Sequence, residues 1–182
     1  MRIVLLTVLI ACISGAAHAQ APASRSSFSV IAGGGQTFDD ESSLGRGWLI
    51  GAALDRVLAG TTRAELSLEV VTHDRTEGFF LADGHTVIGG VSLVQRFGRG
   101  RLQPYAFGGL TAGYHSGSTT FGGLHNESSS TDWGWRAGIG LTFRAGSRYE
   151  ISPELRMNGF FIDTDSHPAM LPSIGIRFGI PF

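Results

Sequence analysis

Apolar and polar residues alternate along most of this chain in segments of about ten residues, and this period of two restricts the fold more than any other feature. It is clearest in RAELSLEVVTH (63–73), WGWRAGIGLTFR (133–144) and RYEISPELRMN (148–158). A period of two puts successive side chains on opposite faces of a β-strand, whereas a helix requires 3.6 residues per turn. The pattern therefore predicts an all-β protein whose strands each have one apolar and one polar face.

Five further segments alternate less regularly and bring the predicted number of strands to eight: 26–36, 46–57, 85–97, 102–114 and 170–182. Strands of about ten residues exceed the 5–6 that are usual in globular proteins. About ten tilted residues are what a strand needs to cross a lipid bilayer. The strand length therefore favours a membrane barrel.

The connections between these segments alternate in length. The short ones are 58–61, 98–101 and 145–147. The long ones, rich in Asp, Ser, His and Gly, are 37–45, 74–84, 115–131 and 160–169. Outer-membrane barrels have short periplasmic turns and longer exterior loops. The sequence thus predicts an eight-stranded antiparallel up-and-down transmembrane β-barrel, with four mobile exterior loops and both termini in the periplasm.

Acidic and basic residues are distributed differently between the long and the short connections. All 14 basic residues are arginine, against 15 acids. With a net charge near zero nothing suggests a nucleic-acid partner, which requires a basic face, and we predict none. Acids dominate the long connections: Asp39, Asp40, Glu41, Asp74, Glu77, Asp83, Glu127, Asp132, Asp163 and Asp165, against Arg46 and Arg75. Arginines dominate the opposite end: Arg56, Arg96, Arg99, Arg101, Arg144 and Arg148, against Asp55.

Apart from Arg2 and Arg25 near the N-terminus, the remaining charges lie on the polar faces of the strands, four acids against four arginines: Glu65, Glu69, Glu150, Glu154, Arg63, Arg136, Arg156 and Arg177. Side chains just fill an eight-stranded barrel, and charges buried there need ionic and hydrogen-bonding partners. We therefore predict a structural role for all eight. Counting back from the connections places Glu154 level with Arg177, and Asp55 level with Arg63.

A soluble lipocalin or sandwich, with the apolar face inside, also fits simple alternation. Strand length, loop asymmetry and aromatics near strand ends favour the membrane barrel, since aromatic girdles mark both lipid interfaces. The aromatics concerned are Trp48, Tyr105, Trp133, Trp135, Tyr149 and Phe178.

The N-terminus MRIVLLTVLIACISGAAHA has a basic residue, an apolar stretch and an A-x-A ending, the order of a secretory signal peptide. We predict a signal peptide at 1–19 and a barrel domain at 20–182, placed in the outer membrane. A lipoprotein signal with lipid on Cys12 is the alternative. Cleavage after Ala19 leaves no cysteine, and hence no disulfide.

The chain resembles the small eight-stranded outer-membrane barrels related to OmpA and OmpX, often described as opacity-type or porin-family surface proteins. The resemblance rests on QPYAFGGLTAGY (103–114), SPELRMN (152–158) and the last strand. In that family the last strand is an assembly signal. The residues that match it are Ser173, Gly175, Phe178 and Ile180, with Phe182 as the terminal aromatic. The resemblance implies membrane lipid, lipopolysaccharide and the barrel assembly machinery as partners of a monomer.

Some barrels of this size modify lipid A, so the residues near the loops were considered as catalysts. The candidates are His115-Ser116, His73-Asp74 and Asp165-Ser166-His167. Adjacent residues leave opposite faces of a strand, and the pattern does not match that of the deacylases. His115, His125 and Glu127 lack a known metal-ligand spacing. We predict no catalytic, cofactor or metal site. We expect a structural or surface-interaction role, with a small porin or a lipid A-modifying enzyme as the alternatives.

Overall fold

The computed structural model describes residues 26–39, 42–77, 80–98, 100–121, 124–146, 148–161 and 169–182. These residues form eight strands: β1 Ser26–Asp39, β2 Ser42–Ala59, β3 Thr62–Glu77, β4 Phe80–Arg96, β5 Leu102–Phe121, β6 Leu124–Ala145, β7 Tyr149–Phe161 and β8 Ala169–Pro181. Each strand is antiparallel to the next, and β8 pairs with β1 to close the barrel. The predicted fold class is confirmed. The predicted signal peptide lies outside the described residues.

The short turns join strands at the end of the barrel that also holds both described chain ends. Gly60 and Gly146 lie in two of these turns with φ of 54° and 71°, a left-handed conformation that glycine adopts most readily. Ser26 and Phe182 exchange two backbone hydrogen bonds of 3.3 and 2.9 Å at the same end. We call this end the turn end and the opposite end the loop end.

The strands extend further toward the loop end than the sequence indicated. β5 pairs with β6 up to Phe121 and Leu124, and β3 pairs with β4 up to Glu77 and Phe80. The predicted bounds of the loops 37–45, 74–84 and 115–131 are therefore wrong, since the described residues of all three belong to strands. The longest of the three is 115–131. This segment is rich in Ser, Thr and Gly and loses the apolar alternation, since both of its faces are polar, yet the backbone ladder continues. Residues 162–168, between β7 and β8, lie outside the described part of the chain.

The two faces of the barrel wall are inverted relative to a soluble protein. Leu66, Leu68 and Leu110 point outward and are 60–70% exposed, whereas Arg136 and Glu69 point inward and are at most 1% exposed. A soluble barrel buries its apolar face and leaves charged side chains in water. This polarity excludes the lipocalin-like alternative and fits a barrel surrounded by lipid.

Aromatic side chains lie on the outer surface near both ends of the barrel. Trp48, Tyr114 and Trp133 are exposed toward the loop end, and Tyr149 and Phe178 toward the turn end. They mark an apolar band that on β5 runs from Leu102 to Tyr114. No helix among the described residues is long and apolar enough to cross a membrane.

One of the aromatics predicted for the girdles, Tyr105, lies elsewhere. Tyr105 points into the barrel, where it is buried and donates a hydrogen bond of 2.7 Å to Glu154 Oε2. Its phenol gains a buried polar partner there, which a girdle position would not provide. Trp135 lies on the outer face of β6 with Trp133, but it is partly buried because it covers Gly159, where a Cβ atom would overlap the indole. An aromatic that covers a cross-strand glycine helps to fix the strand register.

Candidate functional site

The middle of the barrel interior contains a continuous chain of six charged side chains, which we call the central network: Arg136, Glu69, Arg156, Glu154, Arg177 and Glu65. Each contacts the next in this order. The Arg136 Nη2 to Glu69 Oε1 distance is 2.7 Å, and the Arg177 Nη2 to Glu154 Oε2 distance is 3.1 Å. All six side chains are buried. The charges balance, three against three, which is what makes their burial tolerable.

The network connects opposite walls of the barrel. Glu65, Ser67 and Glu69 are alternate residues of β3, so their side chains lie on the same, inward face. Ser67 accepts a hydrogen bond from Arg136. The arginines project from β6, β7 and β8. Backbone hydrogen bonds join only neighbouring strands, so these ion pairs are what hold β3 to the far side.

Aromatic rings flank the arginines of the central network. The guanidinium carbons of Arg136 and Arg156 lie 5.7 and 5.4 Å from the centre of the Phe107 ring, within range for cation–π attraction. Phe107 lies against Gly138, where a Cβ atom would overlap its ring, and Tyr105 lies against Gly140 in the same way. These inward glycines therefore make room for the aromatic rings.

A second group of charges lies near the turn end. Arg96 binds Glu150 through both terminal nitrogens at 3.0 and 2.8 Å, and Arg144 Nε lies 3.0 Å from Glu150 Oε1. Arg63 contacts Asp55, and both are buried. The sequence placed Arg96 and Arg144 only by their nearness to the turns, whereas it also paired Asp55 with Arg63. In the structure all three contact the predicted interior charges.

Both ion pairs expected from the sequence form, although the predicted registers are wrong by two residues. Glu154 is level with Gly175, and Asp55 is level with Glu65. The long arginine side chain reaches diagonally across the ladder to its acid. The structure thus places all eight predicted interior charges inside the barrel.

An apolar layer lies on the loop-end side of Glu69 on β3 and of Asn158 on β7, and the sequence reading missed it. Its buried members are Ile31, Leu49, Ala53, Val71, Ile88, Phe160 and Leu171. We call it the apolar plug. Six of these residues belong to apolar doublets that interrupt the alternation: Val30-Ile31, Leu49-Ile50, Val70-Val71, Val87-Ile88, Phe160-Phe161 and Met170-Leu171. In a strand one member of a doublet must face inward, so this signal predicts the plug.

The mouth of the barrel, on the loop-end side of the plug, contains a small polar cluster. His115 Nδ1 lies 3.0 Å from Thr86 Oγ1, and His115 Nε2 lies 3.6 Å from Asp132 Oδ2. The ring meets Phe160 edge to face, with centres 4.9 Å apart. Burial lowers the pKa of His115 below its usual value, although Asp132 opposes this. His115 is therefore neutral near pH 7 and covers the plug.

These positions determine what the catalytic candidates can do. His115 points into the lumen, and the next residue, Ser116, leaves the opposite face of β5. The side chains of His73, Asp74 and residues 165–167 lie outside the described ones. Among the described residues no three His, Cys, Asp or Glu side chains form a group that could hold a metal ion. His125 and Glu127 lie 3.3 Å apart and are exposed.

The residues that resemble the assembly signal lie on the last strand. Phe178, Ile180 and Phe182 point outward and are exposed, while Gly175 packs against the backbone of Ala32. β8 pairs with β7 on one side and with β1 on the other. β8 therefore has a hydrogen-bonded neighbour along both of its edges and presents an apolar face outward.

No known protein family and no curated protein matches the chain by sequence. Solved structures do match. The Neisserial surface protein A gives a TM-score of 0.69 at 14% identity, covering 89% of this chain and 100% of that one. Ail, the attachment invasion locus protein of Yersinia pestis, gives 0.60 at 15%, covering 86% and 97%.

The outer membrane enzyme PagL gives a TM-score of 0.55 at 19% identity, and the match covers 85% of this chain and 99% of PagL. Identities this low carry information on the fold alone. The match extends over almost the whole of each barrel, and it agrees with the inverted polarity of the wall. The chain thus has the fold of the small eight-stranded outer-membrane barrels, the OmpA- and OmpX-like proteins that its sequence resembles.

Proposed function

We propose that this protein is an integral outer-membrane barrel with a structural or surface-interaction role, and that its lumen is closed. One observation carries the proposal: the outer wall is apolar between two aromatic girdles, while the lumen is filled by ion pairs and by the apolar plug. A closed barrel leaves no unpaired backbone groups in lipid. A filled lumen leaves the surface outside the membrane as the part that can act.

The proposal includes a route and an orientation. A signal peptide at 1–19 is cleaved, the last strand is recognised by the barrel assembly machinery, and the loop end faces outward from a monomer. Asp83 and Glu127 make this end acidic. It would therefore contact lipopolysaccharide phosphates through divalent cations. Ail has been crystallised with the heparin analogue sucrose octasulfate, but a polyanion would be repelled by this acidic surface.

The orientation can be tested with single cysteines, since the only native one is Cys12 in the proposed leader. We expect Ser128→Cys at the loop end to react with a membrane-impermeant maleimide on intact cells. Arg148→Cys at the turn end should react only after the outer membrane is permeabilised. Unboiled and boiled samples should also migrate differently on a detergent gel. The reverse labelling pattern would overturn the orientation, and identical migration would overturn the stable barrel.

The small-porin alternative makes a different prediction for ion conduction. The plug side chains carry no charge and offer a passing ion no hydrogen-bonding group, so we expect no steady conductance from the protein in a planar lipid bilayer. Phe160 is among the largest fully buried side chains, and removing it together with a neighbour in Phe160→Ala/Ile88→Ala should allow small, brief openings. A steady large conductance of the unmodified protein would show that the lumen is an open pore.

The enzyme alternative requires a reactive group that lipid can reach. Of the described histidines beside the apolar band, His115 points into the lumen. His85 is exposed on the outer face of β4 opposite Ser116, but it forms no ion pair with a carboxylate among the described residues. We therefore expect lipid A from cells that produce the protein to have the same mass spectrum as lipid A from cells without it. A change in acyl-chain number that His85→Ala or His115→Ala abolishes would identify the protein as a lipid A-modifying enzyme instead.

A further inference from the structure

One arginine lies on the lipid-facing side of the barrel wall. The outward side chains of β2 are, in order, Trp48, Ile50, Ala52, Leu54, Arg56 and Leu58. Arg56 is exposed, and the leucines before and after it in this row are 47% and 58% exposed. Among the described outward positions between the loop-end girdle and the turn end, it is the only Asp, Glu or Arg. The ion pairs of the lumen therefore do not explain Arg56.

No described carboxylate neutralises the Arg56 guanidinium. The next residue, Asp55, leaves the opposite face of β2 and is bound inside the barrel by Arg63 and Ser27. No other described side chain forms an ion pair or a hydrogen bond with the guanidinium. The parts of the sequence that adjoin the turn end outside the described residues contain no Asp or Glu: 1–25, 99 and 147. The positive charge of Arg56 is therefore available to a group outside the chain.

The neighbours of Arg56 leave room beside it and supply a hydroxyl group. Ser26 of β1 and Ala64 of β3 are level with Arg56 on its two sides. Residues that are level on neighbouring antiparallel strands have Cβ atoms only about 4.5–5.5 Å apart and lie on the same face. On its other side Ser26 exchanges two backbone hydrogen bonds with Phe182, whose side chain is exposed. A guanidinium, a hydroxyl and an aromatic ring thus face outward close together.

The position of Arg56 along the wall matches the edge of the apolar band. Arg56 follows Trp48 of the loop-end girdle by eight positions, which is about 26 Å along a strand and about 20 Å along the barrel axis at the usual strand tilt. The apolar band of outer-membrane barrels is about 25 Å tall. A side chain as long as that of arginine can therefore extend its guanidinium to the headgroup level while its methylene groups stay beside Leu54 and Leu58.

The turn end as a whole is basic. Its described charged side chains are six arginines and two acids: Arg56, Arg63, Arg96, Arg101, Arg144, Arg148, Asp55 and Glu150. Both acids are buried and bound to arginines, so the exposed charge at this end is positive. A basic side chain near a membrane surface attracts anionic lipid with about 1 kcal/mol. The turn end therefore attracts anions.

An anionic phospholipid fits the surroundings of Arg56 better than other anions or other lipids do. The side chain leaves the wall between Leu54 and Leu58, where acyl chains lie, so one lipid molecule can contact both the leucines and the guanidinium. A zwitterionic headgroup carries an ammonium that needs an acid of its own. The described outer wall at this depth has no Asp or Glu to bind it, which favours a headgroup whose phosphate is its only charge.

We propose that Arg56, together with the Ser26 hydroxyl, binds the phosphate of an anionic phospholipid at the turn-end surface of the membrane. The guanidinium donates charge-assisted hydrogen bonds to the phosphate oxygens, and the acyl chains of the same lipid pack on Leu54 and Leu58. The site thereby fixes the depth of the barrel in the bilayer. The inference deepens the proposed membrane role and rests on it for the leaflet: with the turn end in the periplasm, the lipid belongs to the inner leaflet of the outer membrane.

The test uses the full protein folded in detergent micelles, so it does not depend on the location of the barrel in the cell. The probes are dioleoyl phosphatidylglycerol and dioleoyl phosphatidylcholine, which have the same acyl chains, and native mass spectrometry measures their binding. We expect the phosphatidylglycerol to bind at least about fivefold more tightly, which corresponds to ~1 kcal/mol. Arg56→Gln should abolish this preference, while Arg56→Lys, which keeps the charge, should retain most of it.

Arg101→Gln is the matched control, because it removes an exposed arginine from the same end but from the turn before β5 rather than from the outward row of β2. It should keep the lipid preference. An unchanged preference in Arg56→Gln, shown to be folded by its heat-dependent gel shift, would overturn the proposal. An equal loss in Arg101→Gln would also overturn it, by showing that the basic end attracts anionic lipid without a site.

A soluble competitor separates a lipid site from a site for free phosphate. Glycerol 3-phosphate, at the same concentration as the lipid, should leave the bound phosphatidylglycerol in place, because it lacks the acyl chains that contact the leucines. Displacement of the lipid would show a general phosphate site and would overturn the assignment to a phospholipid. Failure of the cysteine-labelling test with an intact lipid preference would overturn the orientation alone.

Discussion

Replacing Arg177 with Leu is expected to lower the free energy of unfolding of the barrel by about 3–5 kcal/mol, the usual cost of removing one partner of a buried ion pair. Arg177 contacts both Glu65 and Glu154 in the central network. Glu65 already has one oxygen without a hydrogen-bond partner. Without Arg177 the buried Glu65 carboxylate would lose its contacting cation. Urea unfolding in detergent, followed by the folded band on an unboiled gel, measures the effect.

Two variants control this prediction. Arg56→Leu removes an exposed arginine near the turn end and should change the unfolding free energy by less than about 1 kcal/mol. The double variant Arg177→Leu/Glu65→Leu removes both charges and should recover part of the loss, since apolar replacements for a buried ion pair are often tolerated. An Arg177→Leu barrel as stable as Arg56→Leu would show that the central network contributes little to stability. The acidic loop end should be unaffected in all three variants.

Replacing Gly138 with Ala is expected to destabilise the barrel by about 1–3 kcal/mol, which is typical of overpacking a filled core. A Cβ atom at this position would overlap the Phe107 ring and the carbonyl oxygen of Leu155. The ring cannot move freely because the guanidinium groups of Arg136 and Arg156 lie against it. The same urea titration measures the loss.

Gly89 offers a matched control for Gly138. It also lies within a strand, but nothing is found within 4 Å of the position of its Cβ. Gly89→Ala should therefore leave stability unchanged or raise it slightly, because alanine restricts the unfolded chain more than glycine does. Equal effects of the two substitutions would show that the loss arises from backbone entropy rather than from contact with Phe107.

The strands and their faces were predictable because one physical rule governs both. A wall between lipid and a polar lumen imposes strict alternation, so RAELSLEVVTH alone identifies Leu66 and Leu68 as outward and Glu65 and Glu69 as inward. Outside the membrane no such rule applies. The pairing of 115–121 with 124–131 depends on a ladder begun elsewhere, and local sequence does not reveal it.

The interior was predictable in part. Charge balance identifies which side chains must meet, and the pairs Arg177–Glu154 and Arg63–Asp55 form. Register depends on the length of each turn, which composition does not fix, and counting from the connections erred by two residues. The apolar plug was missed because the doublets were read as irregular alternation. Tyr105 was misplaced because an inward aromatic and a girdle aromatic share the same residue type.

The pairing of β1 with β8 has a consequence for how this barrel must form. Seven ladders join strands that follow one another in sequence, but the β1–β8 ladder joins residues 132 to 154 positions apart, from Phe38 with Met170 to Ser27 with Pro181. Contacts between residues that are distant in sequence form slowly, because the entropy cost of closing a long loop comes before the contacts stabilise the chain. The hairpins can arise locally and early, while the seam closes last. A chain halted before β8 would keep two open strand edges, so the sealing of the cylinder depends on a single strand, β8.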